Sequence, residues 1–565
     1  QELDMITKGL KFTGLFSFKN YSSSSTERSA SYNHYYMSSY DPSSMEYKIT
    51  RIGDEQSTAL TNDGSRNGDR KMYFQAILDY NRIFKEVHDL NIMFLYNQEQ
   101  YDINGPTTLF SSLPQRKQGV AGRVSYSYDG RYYIEGNFGY NGSENFAKGH
   151  RFGFFPSIAV GYNISNEKFW QPIKPVISNL KIRGSWGLVG NDATNAGRFA
   201  YMEDLVLGGS DSYTTGIRQD TYYSGPSWNR YFNPDLTWEV GEKINLGLDL
   251  QLFNDFNLTF DIFREKRRDI FMTRENSIPE IVGTGETKIT SNNGEMENKG
   301  LDLAIDYNKQ ITKDFFLSFK STLTFARNKV LKMDEPPYFE YPGLSDVGHP
   351  LGTYWGYVAD GLFPDQETID NSPRQDLGYT PQPGDIKYVN QPNAKGEYDN
   401  VINSNDRVAI GHPYDPELVY GFGPSMKWKN WDFSFFFQGV ARTSFMMYGM
   451  HPFGTTSIKN MLQFVADDHW SVDNPNPNAA YPRLTKDSNG NNDQYSTYWL
   501  RNAAFLKLKN AEIGYTYKGM RFYLSGVNLL TFSPFKHWDP EMGGGNGLYY
   551  PTQRVFNIGF QMTIQ

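Results

Sequence analysis

The chain has 565 residues, no cysteine, and 55 Lys and Arg against 63 Asp and Glu, a net charge of −8. The missing cysteine excludes a disulfide scaffold or Cys-ligated metal, and the acidic balance excludes a bulk cationic nucleic-acid binder. The 40 phenylalanines, 40 tyrosines and 10 tryptophans exclude a disordered chain, and no run approaches the ~20 apolar residues of a membrane-spanning helix.

Gln1-Glu2-Leu3-Asp4 carries no basic-then-apolar leader, and an alternating strand is running by Leu10–Phe18. The chain is therefore expected to start partway through a protein. Tyr128-Asp129-Gly130 fits a three-residue hairpin loop with Gly130 left-handed, setting Tyr126 against Tyr132 and Val124 against Ile134. Further along, Leu180, Ile182, Trp186 and Leu188 alternate with Lys181, Arg183, Ser185 and Gly187. Ile244, Leu246, Leu248, Leu250 and Leu252 alternate with Asn245, Gly247, Asp249 and Gln251, and Phe256 to Ile262 repeats the pattern. Leu301–Tyr307, Phe315–Phe325 and Phe556–Ile564 follow the same rule. Period-2 alternation puts one set of side chains on each face of a strand. One face is Leu-, Phe- and Tyr-rich. The other carries Asn, Asp, Lys, Gln and Gly, which a dry core would not accept. A large antiparallel transmembrane β-barrel, all-β, has this pattern: lipid outside, a wet or protein-filled lumen inside. A mean hydropathy of −0.61 fits, because only half of each strand needs to be apolar.

The connections alternate between short turns and long segments, about 38–69, 98–116, 190–237, 272–298, 331–417, 443–502 and 531–553, as short periplasmic turns and long extracellular loops do. The alternation gives about 17 strands, one centred at Tyr35. An odd count puts the two chain ends on opposite sides. A closed barrel of roughly 22 strands would then need about five more, before Gln1. Residues 1–565 are accordingly expected to be the C-terminal portion of one barrel, without its first strands.

Catalytic chemistry is not legible, and no enzyme is expected. The eight histidines form no metal-spaced pair. Asp467-Asp468-His469-Trp470 reads as an exposed loop, and Gly543–Gly547 as a flexible loop without the strand–Gly–helix setting of a phosphate cradle.

Several segments, in order, carry a family likeness. They include Phe155-Pro156-Ser157-Ile158, Asn233-Pro234-Asp235-Leu236-Thr237-Trp238-Glu239 and Glu297-Asn298-Lys299-Gly300-Leu301-Asp302. Gly384-Asp385-Ile386-Lys387-Tyr388, Asp406-Arg407-Val408-Ala409-Ile410-Gly411 and Leu506–Tyr515 continue it. With them the chain resembles the C-terminal barrel portion of SusC/RagA-type TonB-dependent outer-membrane transporters. The resemblance implies an N-terminal plug and TonB box outside this chain. It also implies coupling to TonB, a SusD-like surface lipoprotein lid, a dimer of the transporter–lipoprotein pair, and oligosaccharide or oligopeptide cargo in the bacterial outer membrane. Nucleic acid is not an expected partner. A passive porin- or adhesin-type barrel is the first alternative and a soluble all-β glycan-active enzyme the second.

Cargo contacts are expected on the long loops, where aromatic rings stack on sugar faces or peptide side chains. By position the candidates are Tyr222, Tyr223, Trp228, Tyr231, Tyr354, Trp355, Tyr448 and Trp470. Trp428 and Trp431 flank a short turn and read as membrane-interface girdle. No cofactor is expected. Asp399, Asn403, Asn405 and Asp406 have partial Ca²⁺-loop spacing but lack the tight-turn Gly, so a capped surface turn is the favoured reading. The chain ends Ile564-Gln565 rather than in an aromatic residue, leaving Phe560 to carry an assembly signal.

Overall fold

A computed structural model describes residues 2–562 apart from 56, 58, 107, 194–196, 209–211, 283–288, 450–452, 455–456, 459–461 and 486–488. Ile564-Gln565 lies outside the described residues. One antiparallel sheet of sixteen strands dominates. Its strands are β1 (Leu10–Ser29), β2 (Thr61–Phe84), β3 (His88–Asn104), β4 (Gln115–Tyr128), β5 (Tyr132–Ser143), β6 (Phe152–Asn163), β7 (Ile177–Asn191) and β8 (Glu239–Leu252), then β9 (Phe256–Thr273), β10 (Thr290–Thr312), β11 (Phe315–Lys332), β12 (Leu418–Trp428), β13 (Trp431–Ala441), β14 (Phe505–Tyr517), β15 (Met520–Phe532) and β16 (Val555–Met562). Each strand pairs with its neighbours in chain order, so β1 and β16 are the two edges.

The pairing explains the alternation. Residues opposite one another in an antiparallel pair share a face. The row Ile182–Leu248–Phe260–Leu303–Leu323–Tyr420 crosses six strands without a polar interruption. The other face carries ion pairs: Arg183 reaches Asp261 (2.6 Å) and Asp249 (3.2 Å), and Arg521 reaches Glu512 (2.5 Å) and Asp432. Trp428 pairs with Trp431 at the short turn between β12 and β13, both partly exposed on the apolar face.

Two expectations are corrected. The segment around Tyr35 is not a sheet strand. His34–Asp41 pairs with Glu46–Ile52 as a separate hairpin inside the connection between β1 and β2. The period-2 signal is the same in a loop hairpin and in a barrel strand, which is why it was counted. Sixteen is even, so the first and last strands open and close at the same, short-turn end of the sheet, not at opposite ends. The second correction is register. Tyr128 faces Tyr132 and Tyr126 faces Ile134, two residues from the expected pairing. Asp129 and Gly130 both adopt positive φ, tightening the loop to three residues between the tyrosines. A slip of two leaves every side chain on its own face, so the apolar pattern could not report it.

The long connections gather at the other end of the sheet. Segments from 333–417, 442–504 and 533–554 share one hydrophobic core that includes Tyr357, Ile386, Tyr388, Phe445, Met447, Trp470, Tyr481, Trp499 and Phe535. A smaller core joins Phe146, Ala200, Leu236 and Trp238.

Candidate functional site

The larger loop core is organised by a buried carboxylate. Asp385 has no solvent exposure. It accepts hydrogen bonds from Arg483 Nε (2.7 Å), Asn489 Nδ2 (3.0 Å), Asn492 Nδ2 (2.8 Å) and the Gln382 amide (2.8 Å). Beside it, Gln375 Nε2 donates to the Ile386 carbonyl (3.0 Å), and Gln375 Oε1 accepts from the Tyr388 amide (2.7 Å). The Tyr388 hydroxyl donates to the Asn491 carbonyl (2.7 Å). A buried polar network is tolerable only when its members are satisfied, and here the connections 333–417 and 442–504 supply one another's partners. Gly384, with φ +88, packs against the Trp470 ring, which a Cβ would meet at 2.3 Å.

Next to this network lies a cavity of about 320 Å³. Its apolar wall includes Met447, Val465, Tyr481 and Trp499, its polar wall Arg483, Asn489 and Asn492, and Tyr448 stands at its edge. Asn489, Asn492 and Arg483 therefore both hold Asp385 and line the cavity. Tyr354 is half-buried nearby, and the Tyr414, Tyr495 and Tyr448 phenols lie close enough to act on it. Burial, then these phenols, pushes the Tyr354 hydroxyl up to about 12. Tyr448 shares a hydrogen bond with Tyr549, which also raises its value. Tyr354 and Tyr448 are thus neutral near physiological pH, and the cluster presents phenolic donors and acceptors beside aromatic rings.

Of the eight sequence candidates, the structure brings Tyr354 and Tyr448 together. Trp470 is buried in the core beneath them. Trp355 is half-buried, donating its indole N–H to Asp346 (2.6 Å) with His349 edge-on at 5.1 Å. The other four lie in a different connection: Tyr223 stacks on Tyr213 (5.2 Å), Trp228 on Tyr231 (5.5 Å), and Tyr222 is exposed beside Tyr223. Sequence reasoning passed over Tyr414, Tyr495 and Tyr549. Their only signal was position in a long connection: Tyr414 shares that of Tyr354, Tyr495 that of Tyr448, and Tyr549 lies in 533–554. Asp406 is buried, and its oxygens accept from the amides of Gln391 (2.7 Å) and Asn403 (2.8 Å), while Asn403 caps the 404–406 turn. Burial pushes the Asp406 carboxyl up.

A second polar anchor holds the connection 533–554. Lys507 on β14 has no solvent exposure and meets Asp539 (2.6 Å) and Glu541; Lys509 also reaches Glu541 (2.7 Å). Burial, the largest single influence, pushes both carboxyls up. Lys507, helped by Thr552 at Asp539 and Lys509 at Glu541, outweighs it and leaves both below the usual range. Lowered folded values stabilise the docked connection above the ordinary carboxylate range, and that contribution is lost as pH falls through them. Hydrogen-exchange protection across 533–554, taken relative to the intrinsic amide rate at each pH, is expected to be lower at about pH 3 than at neutral pH, with protection in β14 and β15 unchanged.

Residues 4–529 match the family described as TonB dependent receptor-like, beta-barrel. The chain belongs to this family of β-barrel receptors. It is 29% identical over 468 residues to the TonB-dependent receptor SusC of Bacteroides thetaiotaomicron, covering 78% of this chain and 43% of that protein. It is 27% identical over 478 residues to TonB-dependent receptor P3 of Formosa agariphila, covering 78% and 45%. It spans less than half the length of these curated relatives. Among solved structures, the RagAB peptide importer in the open-open state superposes with TM-score 0.74 at 19% identity, covering 99% of this chain and 59% of that one. The TonB-dependent receptor barrel fold of this chain therefore extends over its whole described length.

Proposed function

We propose that this chain is the main barrel portion of a TonB-coupled importer in the bacterial outer membrane. It works with a SusD-like surface lipoprotein and takes up oligosaccharides or oligopeptides rather than catalysing a reaction. The observation that carries the reading is the division of the sheet: an unbroken apolar row on one face, ion pairs on the other, and a folded aromatic and amide-lined loop assembly at one end. That combination gives a lipid contact, a polar passage and a recognition surface in one molecule. Tyr354 and Tyr448 are the favoured cargo contacts among the sequence candidates. Their neutral phenols can hydrogen-bond hydroxyl or amide groups while the rings stack. The reading needs no cofactor, and the Asp406 oxygens are already spent on backbone amides.

The test is purification of the full-length protein in detergent, with identification of co-purifying polypeptides and mass spectrometry of bound small molecules. A surface lipoprotein and an oligomeric sugar or peptide are expected, together with uptake that stops when the proton gradient is collapsed. Uptake indifferent to the gradient, with ohmic conductance through an open lumen, would replace this reading with a passive pore.

A further inference from the structure

The apolar face of the sheet does not end uniformly towards the long connections. Above the row Leu246–Ile262–Leu301–Phe325, the next residues on the same face are Ile244, Arg264, Lys299 and Arg327, side by side on four adjacent strands. The row beyond contains Glu242, Lys266, Glu297 and Lys329. Trp186 pairs with Ile244 and donates its indole N–H to Glu242 (2.8 Å). A tryptophan with its ring among apolar residues and its N–H turned to a carboxylate marks a hydrocarbon–water boundary.

The charges at this boundary do not balance. Glu297 is shared by Arg264 (2.6 Å) and Lys299 (2.7 Å), and Glu417 by Arg327 (3.1 Å) and Arg442 (2.6 Å). Each of these two carboxylates thus answers two cations, whereas Lys266 pairs with Glu295 (3.0 Å) and Glu242 accepts from the Trp186 indole. Among the described residues, Lys329 has no carboxylate partner. A cavity of about 590 Å³ opens here, floored by Ile262, Leu301 and Phe325 and rimmed by Lys299, Arg327 and Lys329, with the Glu297 carboxylate that Arg264 and Lys299 share also in its wall. The three rim cations keep much of their side-chain surface in solvent, at 60% for Lys299 and 56% for Arg327.

We propose that this pocket binds the phosphorylated headgroup of an outer-leaflet membrane lipid, phosphate against Lys299, Arg327 and Lys329 and one acyl chain along Ile262, Leu301 and Phe325. The occupant is a lipid because surplus positive charge and an apolar floor meet in one pocket at the membrane boundary. A soluble anion would use only the rim, and an uncharged chain only the floor. The site faces away from the passage and is separate from the loop cavity. It rests on the outer-membrane reading given above.

The experiment reconstitutes the full-length protein in nanodiscs containing a phosphorylated glucosamine-based lipid or its dephosphorylated form, and counts retained lipid by native mass spectrometry. Each headgroup cation is worth about fivefold in retention. Lys329→Gln, which strands no carboxylate, is expected to lower retention about fivefold. Lys299→Gln/Arg327→Gln/Lys329→Gln should bring it to the level of the dephosphorylated lipid. Heat-dependent mobility of the folded barrel checks that each variant is intact. Equal retention of both lipids, or wild-type retention by the single and triple variants, overturns the site. Full displacement by millimolar inorganic phosphate also overturns it, because it would reveal a soluble-anion site. Failure of the protein to enter nanodiscs at all would overturn the membrane reading as well, and that outcome is distinct from insertion without lipid preference.

Discussion

Asp385→Ala is expected to dissolve the loop assembly while leaving the sheet intact. The carboxylate is fully buried and ties Arg483, Asn489 and Asn492 together. Removing it strands a largely buried guanidinium and two buried amides. Breaking a buried, hydrogen-bonded ion pair from one side costs about 3–5 kcal/mol. The cost falls on the loops, because strands β11 to β14 are paired independently of this network. Hydrogen exchange at 374–388 and 489–499 should accelerate by about 10²–10³-fold, with β11 and β12 unchanged. Arg483→Met added to Asp385→Ala should return part of the loss, since it removes the stranded charge; the double-mutant cycle measures the coupling. The same change should weaken cargo binding, because Arg483, Asn489 and Asn492 also line the cavity. Unchanged exchange in both segments would show that the hydrophobic core alone holds the assembly.

The sheet was legible because its information is local. Ile244 to Leu252 state their face within nine positions, and the tight turns at Asn254-Asp255 and Lys429-Asn430 state where the chain reverses. Register was less legible, as the Tyr126–Ile134 pairing illustrates, since a two-residue slip costs the pattern nothing. The loop core was not legible at all. Gly384-Asp385-Ile386-Lys387-Tyr388 stood out as a motif, but its partner Arg483 is 98 residues away, and neither segment has a periodic signal. Gly384 could be recognised as a glycine, not as the residue that lets Trp470 approach. The aromatic candidates were chosen by position in loops, and position alone does not separate a buried core ring such as Trp470 from an exposed one such as Tyr448. The cationic belt at Arg264, Lys299 and Arg327 was equally invisible, since it exists only once three strands are laid side by side.

Lys507→Met is expected to detach the connection 533–554 from the inner face of the sheet at neutral pH, and its pH dependence should run opposite to that of the wild type. Lys507 Nζ is the shared partner of Asp539 and Glu541, and Asp539 also caps the turn Pro540–Met542 through the Glu541 amide (3.0 Å). Methionine fills the volume but leaves two largely buried carboxylates facing each other, with only Lys509 to answer Glu541. Leaving buried charge uncompensated costs about 3–5 kcal/mol. Proteolysis and hydrogen exchange across 533–554 should therefore rise sharply at neutral pH. In the wild type acid weakens docking, because the carboxyls are held low by Lys507. In the variant, burial, the largest single influence on both, is expected to raise their folded values above the unfolded ones against the remaining Thr552 and Lys509 contacts. Such groups stabilise the docked state when protonated and oppose it as pH rises, so acidification should re-dock the connection. Adding Asp539→Asn and Glu541→Gln to Lys507→Met should restore docking at neutral pH and flatten the pH dependence, since a buried triad removed as a unit leaves no unpaired charge. A single variant that stays docked at neutral pH, or one that loosens further in acid, would mean that the core packing of Phe535 and Trp538, not the Lys507 triad, holds this connection in place.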